Sequence, residues 1–127
     1  MNNKESLLVN KVKLELERTE NERLSAIGRA ARPSGFGISE GGDEHTDIEV
    51  GKTVLERIIQ EFRVMGCNNE TVRKLAESGE NSSTITILII IDIVTTFLSG
   101  PAVFSATASV LKYGVKNICV EEWISNK

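Results

Sequence analysis

Apolar residues recur at helical spacing between residues 4 and 30, at Leu8, Val12, Leu16, Leu24 and Ile27. Glu20 interrupts the stripe, and Glu and Arg fill the other faces. The pattern predicts a helix over 4–30. Val12-Lys-Leu-Glu-Leu-Glu17 also alternates with period two, so a short strand there competes locally. Residues 31–47 read as a loop, dense in breakers at Arg32-Pro33-Ser34-Gly35-Phe36-Gly37 and polar through Gly41-Gly42-Asp43-Glu44-His45. A connection this long implies a functional loop or local disorder. Helices follow over 49–78. The first, 49–65, is capped by Thr46 or Asp47 and carries the stripe Val50, Val54, Leu55, Ile58, Ile59, Phe62 and Met65. Gly66 ends it, and a short helix from Asn68-Asn69-Glu70 runs until Gly79 stops it.

The pattern then changes. Thr84-Ile-Thr-Ile-Leu-Ile-Ile-Ile-Asp-Ile-Val94 is almost continuously apolar and mostly β-branched. Such side chains fit a pleated strand and lose rotamer freedom in a helix. Apolar character on both faces predicts a central strand of a parallel sheet. After Ser99-Gly100, Pro101 is favourable at the first helical position, because its missing N–H would be unpaired there. A helix from Pro101 to Tyr113 would bury Val103, Phe104, Thr107, Val110 and Leu111, with Gly114 closing it. Asn117-Ile-Cys-Val-Glu121 is a second strand candidate. The expected fold class is α/β: N-terminal helices, then a C-terminal β-α-β unit over 84–121 in a single domain, 1–127. Two strands do not make a stable sheet alone. A homo-oligomer or a protein partner is therefore expected to complete it.

The same segment has an alternative reading. Residues 84–111 contain a single charge, Asp92. A bilayer core needs about 20 apolar residues, so the alternative is a mostly α protein with one membrane-spanning segment at 84–111, anchoring or oligomerising in the bilayer. The β-branched density and the Ser, Thr and Ala content of residues 99–109 favour the strand.

Composition narrows the classes. The chain has 127 residues, enough for one core without staples. Its net charge of −3 and 5% aromatic content speak against nucleic acid as a partner. Arg18, Arg23, Arg29 and Arg32 lie close in sequence but read as a solvated helix face. Cys67 and Cys119 show no metal-ligand or redox spacing. With a polar start, Met-Asn-Asn-Lys-Glu-Ser, they predict a cytoplasmic setting and two buried, reduced thiols.

Few residues carry chemistry. Gly51-Lys52-Thr53 resembles the end of a phosphate loop, but Thr46 stands where the pattern needs its first glycine. The segment reads instead as a helix start. His45 lies among Asp43, Glu44, Asp47 and Glu49, yet a loop gives these groups no fixed geometry for a metal. No nucleophile–histidine–acid set emerges, so an enzyme is the least supported class, and no cofactor is specified. The sharpest site is the end of the 84–94 strand: Asp92, Thr95, Thr96 and Ser99. Ligands in open α/β sheets sit beyond the carboxyl ends of strands, against a helix start that favours anions.

Ile87-Leu-Ile-Ile-Ile-Asp-Ile-Val-Thr-Thr96, with Val110-Leu-Lys-Tyr-Gly-Val-Lys116 and Asn117-Ile-Cys-Val120, resembles the ribose-phosphate-binding β-α-β of type I phosphoribosyltransferases. Asp92 matches the second acid of that motif, and Thr95 and Thr96 match the start of its phosphate loop. Ile91 stands in place of the first acid, and Phe97 in place of the loop glycine. The resemblance covers residues 84–120. It implies a non-catalytic binding or regulatory protein with a phosphate or ribose-phosphate site.

Overall fold

The computed structural model describes residues 3–31, 44–80 and 83–125. Among them are seven helices and no strand: α1 (Asn3–Leu16), α2 (Glu20–Ala31), α3 (Glu44–Met65), α4 (Glu70–Glu77), α5 (Thr84–Val94), α6 (Ala102–Tyr113) and α7 (Val115–Ser125). This overturns the α/β expectation and its C-terminal β-α-β. Both predicted strands, 84–94 and 117–121, are helical.

The reason is burial. Each isoleucine side chain taken out of water stabilises by roughly 1.5–3 kcal/mol. Its helix-propensity deficit against alanine is only a few tenths of a kcal/mol. The run is also apolar on nearly every side, as suits a helix inside a bundle. Its exposed positions betray the helical period. Ile85 and Asp92 are exposed one above the other, seven residues apart, with Leu88 and Ile89 half-buried between them. Ser83 starts the helix as its N-cap, its Oγ accepting from the Thr86 N–H at 3.2 Å.

α6 is the centre of the molecule and packs against α1, α2, α3, α5 and α7. Every residue from Ala102 to Leu111 except Phe104 is buried. Its predicted stripe, Val103–Leu111, is only part of the buried surface. Ala106, Ala108, Ser105 and Ser109 fill the other face and let neighbouring helices approach. The hydroxyls there have partners. Arg23 Nε donates to Ser109 Oγ at 3.0 Å, Ser105 Oγ donates to Glu15, and Thr107 Oγ1 donates to its own helix at Val103 O. Arg23 is 3% exposed and also donates to the Arg18 and Glu15 carbonyls, so its guanidinium is held by three acceptors of one polar layer.

The helix predicted over 4–30 is two helices. Thr19 and Glu22 form a capping box at the break: the Glu22 carboxylate accepts from the Thr19 N–H at 2.9 Å, and Thr19 Oγ1 accepts from the Glu22 N–H at 3.1 Å. α2 then packs on α3 with no room between backbones. A Cβ on Gly28 would lie 1.8 Å from the Asp47 carbonyl oxygen, and one on Gly51 would lie 2.0 Å from that of Leu24. Leu24 and Gly28 are one turn apart, as are Asp47 and Gly51, and their pairing in reverse order makes the helices antiparallel.

α7 is fastened to the α3–α4 corner. Cys67 and Cys119 form a disulfide with Cα atoms 5.4 Å apart, correcting the expectation of reduced thiols. Their sequence separation hid a pairing that only the fold creates. Arg63 Nε donates to Ile118 O at 3.2 Å, and the Trp123 indole N–H donates to Cys67 O at 2.9 Å. Among the described residues no helix is long and apolar enough to cross a membrane. The 84–111 segment is instead two helices of 11 and 12 residues joined by a turn.

Candidate functional site

The turn between α5 and α6 carries three of the four site residues expected from sequence. α5 ends at Val94, and the chain turns through Thr95 to Gly100, where φ is +73°. Glycine reaches that backbone region without steric cost. Buried Leu98 pins the turn to the core, while Phe97 on its outer side is 38% exposed. Thr95, Thr96 and Ser99 line one cleft of about 470 Å³. Its opposite wall is α2 and α3: Ala30, Ala31, Val54 and Arg57. Asp92 lies on the last turn of α5, exposed to solvent, and does not line this cleft.

The electrostatics differ from those of a strand end. Thr95 and Thr96 sit at a helix C-terminus, the negative end of the helix dipole. Their hydroxyls donate to helix carbonyls, Thr95 Oγ1 to Asp92 O at 2.8 Å and Thr96 Oγ1 to Ile93 O at 2.7 Å. Both protons are thereby used. Among the described side chains the donors left for a ligand are Ser99 and the guanidinium of Arg57. Arg57 is exposed and has no acidic partner within ion-pair distance among the described residues. Among the described residues no carboxylate lines this cleft.

Arg57 is the residue that sequence reasoning missed. It occupies a polar position of the α3 stripe, one of several arginines on solvent-facing helix sides. Only the packing of α3 beside the α5–α6 turn distinguishes it. A second cleft of about 700 Å³ adjoins the first and shares Arg57 and Phe97 with it. Tyr113 also lines it.

The other sequence candidates fall elsewhere. Gly51-Lys52-Thr53 is inside α3, not at its start, and Gly51 serves the crossing with α2. His45 and Asp47 belong to the first turns of α3, His45 exposed and Asp47 buried. Asp47 lies 3.6 Å from Arg29 Nε, and no cluster of three metal-ligating side chains occurs among the described residues. Asp43, Arg32 and the rest of 32–43 lie outside the described residues. Of the arginines expected on one solvated face, Arg18 and Arg29 are exposed and Arg23 is buried. No protein family, curated protein or solved structure matches the chain. The phosphoribosyltransferase-like description is corrected by the fold itself, since the strand that would carry its phosphate loop is a helix.

Proposed function

We propose that this chain is a small, non-catalytic helical binding protein that holds a phosphate or ribose-phosphate group in the cleft between α3 and the α5–α6 turn. The observation that carries the reading is Arg57. It places a guanidinium without an acidic partner among the described residues in the same cleft as Ser99, Thr95 and Thr96. A guanidinium offers five donors in a planar fork matched to phosphate oxygens. Ser99 supplies a hydroxyl donor, and the two threonines shape the wall. Asp92 stands apart from the anion, which removes a repulsion that the motif resemblance would have placed beside it.

Isothermal titration with inorganic phosphate and with ribose 5-phosphate tests the proposal. The intact chain is expected to bind and to melt at a higher temperature with ligand present. Arg57→Gln is expected to lose at least about tenfold in affinity with an unchanged melting temperature in the absence of ligand. No heat and no thermal shift for either ligand would overturn the reading. The cytoplasmic setting expected from free thiols is not carried into this proposal, because a structural disulfide persists in oxidising compartments.

A further inference from the structure

The two adjoining clefts divide their charges unequally, and that division specifies a ligand. Among the described residues the smaller contains one cation, Arg57, and no acid. The larger shares Arg57 and adds Glu56 and Glu61 with Arg63. Arg63 is already engaged, its Nε with Ile118 O and its Nη1 with Gln60 Oε1 at 3.3 Å. The carboxylates of Glu56 and Glu61 line this space and supply it with acceptors that the smaller cleft lacks among the described residues. Phe97 lines both clefts and Tyr113 lines the larger alone, and they are 38% and 51% exposed. Exposed aromatic faces of this kind stack planar rings.

We infer that the two clefts together form a site for a nucleoside monophosphate whose base carries an exocyclic amine. The phosphate lies on Arg57 and Ser99. The ribose crosses Phe97, and the base stacks toward Tyr113 with its amino group donating to Glu61 or Glu56. The inference rests on the proposed anion site and adds the identity of the group attached to the anion. Cavities of about 300–1,000 Å³ with a few placed polar groups are the usual size for such ligands, and the larger cleft alone is about 700 Å³.

The test is a titration series on the full chain with adenosine 5′-monophosphate, inosine 5′-monophosphate and ribose 5-phosphate. Adenosine 5′-monophosphate is expected to bind at least about tenfold tighter than ribose 5-phosphate, as base–aromatic stacking supplies. The inosine compound, with a carbonyl in place of the amine, is expected to lose part of that gain against the two glutamates. Phe97→Ala and Tyr113→Ala change exposed side chains, so both variants are expected to keep the parent melting temperature. Tyr113→Ala should reduce the preference for the base while leaving ribose 5-phosphate affinity unchanged, and Phe97→Ala, which removes the surface under the ribose, should weaken both ligands and adenosine 5′-monophosphate more. Equal affinity for adenosine 5′-monophosphate and ribose 5-phosphate would overturn this inference and leave the anion site standing. So would a preference that survives both substitutions. Failure of all three ligands to bind would overturn both.

Discussion

One methyl group at Gly51 would have to share space with the Leu24 carbonyl, 2.0 Å away, and neither backbone can yield without moving a helix. Gly51→Ala and Gly28→Ala are therefore expected to destabilise the chain by at least about 1–3 kcal/mol, measured as a shift of the urea midpoint at constant slope. Arg23 is the second residue on which packing depends. Truncation to alanine removes the donor to Ser109 Oγ and to two carbonyls inside a closed layer. The expected cost is about 3 kcal/mol, whereas exposed Arg29→Ala should stay within about 0.5 kcal/mol. Neither role was legible in sequence. Gly51 stands in a Gly-Lys-Thr string that directs attention to phosphate, and Arg23 is one of four arginines that look alike along the chain. What separates them is contact with residues on other helices, which periodicity does not encode.

At the scale of the element, helix boundaries followed local chemistry where that chemistry was strong. The stripe of α3 placed Leu55, Ile58, Ile59 and Phe62 in the core, while Met65 at its end is 58% exposed. The α1–α2 break had a readable signal in Thr19-Glu-Asn-Glu22, a capping-box spacing hidden inside an otherwise continuous stripe. The Thr84–Val94 run was misread because continuous apolar character fits a buried strand and a buried helix equally. Its length and its Ser83 cap were the arbitrating signals. Helical secondary Cα chemical shifts across Ile85–Ile93 are the expected NMR result. The Glu22 carboxyl is held below the ordinary carboxylate range, first by the Thr19 backbone N–H and then by the Thr19 side chain. A lowered folded-state value contributes stability above the unfolded pKa, and that contribution is lost as pH falls through the folded value. Glu22→Gln should therefore flatten the acid limb of the stability–pH curve without changing stability at the lowest pH. α7 depends on the disulfide. In the chain-entropy account, a loop of this separation, 52 residues, gives about 4 kcal/mol. The Cys67→Ser/Cys119→Ser double variant is expected to lose about that much. Fluorescence of Trp123, which bonds Cys67 O, reports whether α7 leaves first.

At the scale of the whole molecule, two apolar helices, α5 and α6, take the place of a sheet, and α6 is enclosed by five neighbours. The argument for a second copy of the chain, which rested on completing that sheet, falls away with it. Sequence placed attention on the α5–α6 turn for a reason that does not apply. Thr95, Thr96 and Ser99 were selected as a strand end facing a helix start, and they share a cleft because the α5–α6 turn meets α2 and α3. Arg57 completes that cleft from α3, a helix read only for its buried stripe. Whether this junction holds an anion decides the proposed function. The most direct measurement is an amide and arginine side-chain NMR titration with ribose 5-phosphate. Saturable shifts of Arg57 Nε–H and of the amides of Ala31 and Thr96 to Ser99 are expected, the amide shifts being lost in Arg57→Gln. Shifts that fall elsewhere, or persist unchanged in that variant, would contradict the proposed function.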